Sequence, residues 1–252
     1  MLEVQGVSLS LGGLTILDDL SFAVGRGEVC ALIGPNGAGK TSLFNCVSGV
    51  YRPSAGRISI AGHDVTGLKP HERARRGVAR TFQNLGLFPS LSVRANAMAG
   101  AHTRLHARLL PEMLAAPWAR AEERALQEEA DLVLDALDLG AVADTAVTAL
   151  PFGTQKRVEI ARALMARPAL LMLDEPANGL SDGEVDELAH VVRGIRDRYD
   201  LSILLVEHHI GFVTGLSQHV VVMDVGRQIA AGTPAAVTTD PNVVRAYLGD
   251  PL

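Results

Sequence analysis

Eight consecutive residues, Gly34-Pro35-Asn36-Gly37-Ala38-Gly39-Lys40-Thr41, constrain this chain more than any other stretch. They complete the pattern G-x-x-x-x-G-K-[ST]. A strand-like apolar run, Val29 to Ile33, precedes them, and a helix-like run, Ser42 to Val50, follows. Strand, loop and helix in that order are the context the pattern requires. The glycines let successive backbone N–H groups turn toward one anion, and the helix N-terminus adds its partial positive charge. In such a loop Lys40 reaches the β- and γ-phosphates and the Thr41 hydroxyl binds Mg²⁺. A glycine-rich turn before a core helix is the plainer reading, and the complete pattern in its context argues against it. The chain is expected to bind a nucleoside triphosphate.

The 252 residues allow one large domain or two small ones. With 48% apolar and 20% charged residues, an α/β core is easily built. A net charge of −5 argues against a broad basic surface for nucleic acid. No apolar run is long enough to span a bilayer and the first residues do not read as a signal peptide, so folding in the cytosol is expected. The two cysteines, Cys30 and Cys46, match no metal spacing and read as buried apolar thiols.

Residues 2–10 and 14–24 read as two strands split by Gly12-Gly13. Short strands follow at Ile58–Ile60 and Val78–Phe82, the second ending near Gln83. Residues 91 to about 137 are rich in Ala and Leu, carry Glu and Arg at helical spacing from Ala119, and are divided into separate helices by Pro111 and Pro117. Three strong strands come next, Leu170–Leu173, Ser202–Val206 and Val220–Met223, alternating with helical runs at 153–167 and 182–198. Gly226–Gly232 looks like a final hairpin strand. Such alternation implies a largely parallel sheet covered on both faces. The helical stretch interrupts it and reads as an insertion.

An apolar strand in such a sheet delivers functional side chains at its carboxyl end. Leu170-Leu171-Met172-Leu173 ends in Asp174 and Glu175. Asp174 suits a Mg²⁺ partner, directly or through water, and Glu175 suits the polarisation of an attacking water. The alternative is that Asp-Glu-Pro caps the next helix. Gln83 is either a Mg²⁺ or water contact that senses the γ-phosphate or a solvated loop residue. His208, just past Leu204-Leu205-Val206-Glu207, either donates to the γ-phosphate or orients the water, or is inert.

In order along the chain, the Gly34–Thr41 loop, Gln83, Leu150-Pro151-Phe152-Gly153-Thr154-Gln155-Lys156-Arg157, Leu170–Pro176 and His208 resemble the motifs of ATP-binding-cassette (ABC) ATPases. The likeness covers essentially the whole chain. It implies ATP with Mg²⁺ as ligands and a P-loop α/β fold. That fold has a mainly parallel sheet with helices on both faces, an antiparallel β subdomain near the N-terminus and an inserted α-helical subdomain. The resemblance implies one ATP-binding domain over 1–252, with a nucleotide-binding core at 1–88 and 165–252 and the insertion at 89–164. Nucleotide contacts fall on Leu11, Ile16, Gly34, Pro35, Asn36, Gly37, Ala38, Gly39, Lys40, Thr41, Ser42 and Asp174. Metal contacts fall on Thr41, Gln83 and Asp174, and hydrolytic roles on Glu175, His208 and Gln83. Residues 150–157 resemble the signature motif. There a helix N-terminus near Gly153 meets the γ-phosphate held by a second subunit, so a functional site needs two cassettes.

The departures from the family pattern are informative. Pro151 and Phe152 stand where Ser and the first Gly of Leu-Ser-Gly-Gly-Gln are usual, and Thr154 stands where Gln is usual. A lost Ser–phosphate hydrogen bond costs about 1.5–3 kcal/mol. Leu11 replaces the aromatic residue that stacks on adenine, and Ser181 replaces the usual Asp of the loop after Pro176. Ala79–Asn84, Leu150–Gly153, Ala177–Leu180, Val206–His208 and Ala246–Gly249 together are similar to the ATPase subunit of branched-chain amino acid importers, as is the placement of residues 101–124.

That resemblance implies a second cassette, identical or paralogous, two transmembrane permease subunits docked beside Gln83 and Asn84–Met98, and a substrate-binding protein acting indirectly. It places the chain in the cytoplasm on the inner face of the membrane and implies no nucleic-acid partner. Two rivals remain at this stage: a nucleotide-gated clamp on nucleic acid or ribosomes, and a regulatory module with little turnover.

Overall fold

A computed structural model describes residues 1–82, 85–104 and 117–248. It divides into two compact units, Met1–Arg80 with Ala169–Leu252, and Thr81–Pro168.

The first unit holds two sheets. In the antiparallel one, β1 (Leu2–Leu11) lies between β2 (Leu14–Val24) and β4 (Ala55–Ile60), with β5 (His63–Asp64) on the far side of β4. The buried positions of β1 are Leu2, Val4, Val7 and Leu9. A strict period of two would turn Val7 outward; a register shift between Val4 and Val7 returns it to the core.

The second sheet runs β10-β9-β3-β8-β7-β6, where β3 is Val29–Ile33, β6 Val78–Arg80, β7 Leu170–Asp174, β8 Ser202–Val206, β9 His219–Asp224 and β10 Arg227–Gly232. All neighbours are parallel except β10, which returns antiparallel along β9. The runs β3, β7 and β8 are buried along their whole length, as strands covered on both faces must be. The strand at residue 78 stops at Arg80 rather than Phe82; among the described residues β6 is an edge strand paired with β7, through Val78, Ala79 and Arg80. Gln83 and Asn84 lie outside the described residues.

Helix α1 (Lys40–Ser48) follows β3 and packs Leu43, Phe44, Cys46 and Val47 into the core formed by the inner faces of both sheets. Burial pushes the Cys30 thiol up to about 12 and the Cys46 thiol up to about 11, so both are inert apolar groups. The C-terminus of α1 is closed by Arg73, from the short α2 (Pro70–Ala74). Its fully buried guanidinium donates to Cys46 O at 2.5 Å and Val47 O at 2.7 Å, and to Leu68 O and Thr66 O at 3.1 Å each. A cation at the last turn answers the negative end of the helix dipole.

The second unit is helical: α3 (Val93–Ala99), a 3₁₀ turn at Gly100–Thr103, α4 (Pro117–Ala136) and α5 (Phe152–Leu164). Pro117 is the first residue of α4, where its missing N–H costs nothing, while Pro111 lies outside the described residues. Buried Asn96 accepts from Phe88 N at 2.8 Å and donates to Phe88 O and Ser92 O at 3.1 and 3.0 Å, which fixes the segment ahead of α3. Glu129 on α4 joins Arg104 and Arg167 in one ion-pair cluster. The remaining helices, α6 (Asp182–Tyr199), α7 (Ile210–Leu216), α8 (Pro234–Thr238) and α9 (Pro241–Leu248), belong to the first unit.

Candidate active site

The parallel register sets the site. Leu32 of β3 is level with Val206 of β8, and Val206 is level with Asp174 of β7. The phosphate loop after β3, Glu175 after β7 and His208 after β8 therefore leave the sheet at one edge, where open α/β sheets place their ligands. Glu175 N donates to Val206 O at 2.9 Å, which ties two of these strand ends together.

Sequence dictates the shape of the loop at two positions. A Cβ on Gly34 would lie 2.1 Å from Met223 O, and one on Gly39, whose φ is +96°, would lie 2.9 Å from Leu17 Cδ2 and 3.2 Å from Ile16 O. The loop is thus pressed against β9 and β2, and Ile16 meets it through its backbone. Gly226 N donates to Ala38 O at 3.0 Å and Asp18 N to Gly226 O at 2.9 Å, locking the loop to the β9–β10 turn. Pro35, Asn36 and Gly37 form its outer rim, and Ala38 is buried beneath.

Lys40 is buried, with Nζ donating to Gly34 O at 2.6 Å and to Pro35 O at 2.9 Å. Its burial lowers its pKa, and the charge of Glu175 works in the opposite direction. Thr41 is exposed and Ser42 half-buried in the first turn of α1. Leu11 ends β1 with 41% of its surface exposed, paired with Leu14 across the hairpin.

Asp174 is buried and Glu175 half-buried, with Glu175 in a left-handed conformation at φ +48°. The pair does not cap a helix: α6 starts at Asp182, and Ser181 precedes it with its N–H and hydroxyl both donating to Glu184, at 2.9 and 2.7 Å. Left-handed backbone at a non-glycine residue costs of order 1–3 kcal/mol and gathers at functional positions.

Three residues without an assigned role in the sequence reading belong to this site. Arg80 pairs with Asp174 Oδ2 at 2.7 Å, donates to Asn45 Oδ1 at 2.7 Å and Ser48 Oγ at 3.1 Å, and lies 5.3 Å from the centroid of the Phe44 ring. It braces the end of β7 against α1. Glu207, fully buried, accepts backbone N–H groups on both sides of the site. Tyr247 on α9 has its pKa raised by burial and opposed by a hydrogen bond from the Gly34 backbone N–H, so the C-terminal helix reaches the start of the phosphate loop. The only cue in the sequence was that each sat inside a quoted motif: Ala79–Asn84, Val206–His208 and Ala246–Gly249.

In the second unit, α5 opens at Phe152, with Pro151 as its N-cap and Gly153 buried in the first turn. Glu159 on the same helix accepts Phe82 N at 2.8 Å and also bonds the Gly86 backbone. Burial raises its pKa against those N–H donors and Arg162. The two flanks of Gln83 are thereby anchored on α5.

The residues fit a nucleoside triphosphate with Mg²⁺. The loop leaves no room for side chains where it is pressed on β9 and β2, and Lys40 is the cation beside it. The Thr41 hydroxyl and the Asp174 carboxylate are the hard oxygen donors that Mg²⁺ takes alongside phosphate oxygens.

Residues 17–178 match the family model described as ABC transporter, and the chain belongs to that family. Residues 227–251 match a second model, described as branched-chain amino acid ATP-binding cassette transporter. The chain is 39% identical over 250 residues to the high-affinity branched-chain amino acid transport ATP-binding protein BraF of Pseudomonas aeruginosa, covering 99% of this chain and 98% of that protein. It is 38% identical over 251 residues to LivG of Escherichia coli, a protein of the same description, with 99% and 98% covered. Among solved structures, it matches a nucleotide-free cassette of an ABC transporter at 30% identity and a TM-score of 0.85, covering 99% of both chains. It matches a cassette in its ADP conformation at 31% identity and a TM-score of 0.86, covering 99% and 98%. The fold is the P-loop ABC ATPase fold, and ATP is its nucleotide.

Proposed function

We propose that this chain is the ATP-hydrolysing subunit of an importer for branched-chain or related amino acids. The observation that carries hydrolysis is the convergence, at one sheet edge, of the phosphate loop with its buried Lys40, the Asp174-Glu175 pair and His208. The substrate class is supported by the names of BraF and LivG and by the match over residues 227–251.

Residues 34–42 cradle the triphosphate through backbone N–H groups and Lys40, with Leu11 and Ile16 on the nucleotide. Thr41, Asp174 and Gln83 hold Mg²⁺, which supplies charge neutralisation at the phosphates. Glu175 takes a proton from the attacking water as the bond to the γ-phosphorus forms and the bond to the bridging oxygen breaks. His208 and Gln83 contact the γ-phosphate. Gly153 acts on the nucleotide of a second cassette.

The helical segment 89–164 is an insertion in one ATP-binding domain whose core is 1–88 and 165–252. The partners are a second cassette, identical or paralogous, two permeases reached through the segment near Gln83 and Asn84–Met98, and a binding protein acting indirectly. No helix among the described residues is long and apolar enough to cross a membrane. The chain works from the cytoplasm on the inner face of the membrane, held there by its partners.

The test is reconstitution with the two permeases and the binding protein in vesicles. ATP-dependent accumulation of labelled leucine or isoleucine is expected. Hydrolysis stimulated by the permeases without uptake of these or related amino acids would overturn the substrate class. A chain that never associates with permeases would overturn the importer.

A further inference from the structure

Glu207 lies one residue beyond β8 and is wholly withdrawn from water. Its Oε1 accepts the Ala177 N–H at 2.7 Å, and its Oε2 accepts those of His208 and His209 at 3.0 and 3.2 Å. Its own N–H donates to Leu32 O at 3.4 Å, one residue before the end of β3. One residue thus touches β3 near its end, the segment that follows β7 and the turn that follows β8. A buried carboxylate is costly unless its oxygens are satisfied. Backbone N–H groups satisfy these. A carboxylate also offers two acceptor oxygens and no donor, so it can hold two separate sets of N–H groups at once, where an amide presents a donor to one of them. Glu175 sits between two anchors: its N–H is held by Val206 O, and two residues later Ala177 is held by Glu207. Its left-handed backbone is the kind that persists only when its surroundings over-determine it.

We propose that Glu207 is a positioning residue that holds the Glu175–Ser181 loop and the His208–His209 turn as one body, so that base and histidine address the same phosphate. The proposal rests on the reading of Glu175 and His208 as hydrolytic groups.

The test uses the full chain carrying Glu207→Gln, with Glu207→Ala beside it. Affinity for a fluorescent ATP analogue is expected to stay within about twofold, because the loop and Lys40 keep their own contacts, while turnover falls about tenfold or more from misplacement of the base. Hydrogen exchange read by mass spectrometry is expected to speed up together in the peptides covering residues 175–181 and 206–212, with α1 unchanged. In a His208→Ala chain, adding Glu207→Gln is expected to cost less than it does alone, because the two act as a unit. Normal turnover in both Glu207 variants, additivity with His208→Ala, or faster exchange in only one segment or neither would overturn the proposal. Glu175→Gln alone is the control for the underlying reading: if it still hydrolyses ATP, the base assignment fails, and the paired exchange result still decides whether Glu207 couples the two loops.

Discussion

Among the helices whose starts lie wholly within the described residues, two begin without a side-chain cap and without an acid in the first turn: α1 at Gly39–Lys40 and α5 at Pro151–Phe152. Other described helix starts are closed by local side chains, as with Ser92 before α3, Thr233 before α8, and Ser181 with Glu184 before α6. A cap or a first-turn carboxylate would compete with a phosphate for the same N–H groups and the same end of the dipole. Both bare starts are therefore suited to an anion, but they are built differently. The start of α1 is enclosed by β2 and β9 and carries a buried ammonium. The start of α5 has Pro151 as its N-cap and Phe152 as its first residue, the latter 46% exposed with Lys156 Nζ 5.3 Å from its ring centroid. On the proposed function, this difference puts most of the nucleotide's binding strength in the chain's own phosphate loop and less in what α5 would lend to a partner's nucleotide.

The sharpest way to separate binding from chemistry at the first of these starts is Glu175→Gln. The amide is nearly isosteric but cannot accept the proton, and general-base contributions run at about 10²–10⁴-fold. Turnover measured with the permeases is expected to fall by that factor while ATP binding persists. Removing a negative charge near the γ-phosphate also eases closure, so an ATP-bound dimer should accumulate on a sizing column where the wild type shows only weak association. Near-normal hydrolysis would move the water-positioning role to Gln83 or His208.

Lys40→Ala attacks the start of α1 itself. Loss of charge-assisted contacts worth about 1.5–3 kcal/mol weakens ATP binding by roughly 10- to 100-fold. The same lysine gives a pH signature. Its pKa is lowered from 10.5 by burial, and only the ammonium attracts phosphate. Affinity should therefore hold at neutral pH and fall as pH rises, beginning below the range of an ordinary lysine. The Lys40→Ala chain should lack that decline. A pH-independent affinity in the wild type would mean that the loop amides, not Lys40, carry the charge recognition.

At the second start, Pro151→Ser restores the family's hydroxyl in front of α5. One added charge-assisted hydrogen bond to a partner's phosphate is expected to tighten the ATP-dependent dimer about tenfold, read by sedimentation in a Glu175→Gln background. No change would mean that Phe152 or Thr154, not Pro151, limits closure.

These sites were not equally legible in the sequence. The phosphate loop, the strand β7 with its carboxylates and the helix at 182 are local patterns: glycine spacing, an unbroken apolar run, a run of helical periodicity. What joins them is not local. Arg80 and Asp174 are remote in sequence, as are Glu207 and Ala177, and no periodicity marks such pairs. Tyr247 reads as one aromatic on a short amphipathic helix until its hydroxyl is found on Gly34. Nothing in the sequence marks Arg73, which is buried on the carbonyls of α1. The shift between Val4 and Val7 was present in the sequence as a change of phase in the apolar pattern. The strand at residue 78 was overextended because Thr81 and Phe82 suit a strand, whereas pairing with β7 ends at Arg80.

The smallest expected effect probes the rim of the first site. Leu11 ends β1 beside the glycine pair of the hairpin, exposed and without an aromatic face. If Leu11 lies on adenine as proposed, Leu11→Tyr replaces an aliphatic contact by an aromatic one, worth roughly 0.5–1.5 kcal/mol by analogy with aromatic pairs. Fluorescent ATP titration should show about a two- to tenfold gain in affinity. The gain should be larger for ATP than for inorganic triphosphate, which has no base to stack. Unchanged affinity for both would place the base away from Leu11 and leave the phosphate loop as the whole of the nucleotide's binding site. An equal gain for both would mean that the tyrosine acts through the β1–β2 hairpin on the loop, and the contrast between an enclosed and a bare helix start would then extend to the strands that enclose it.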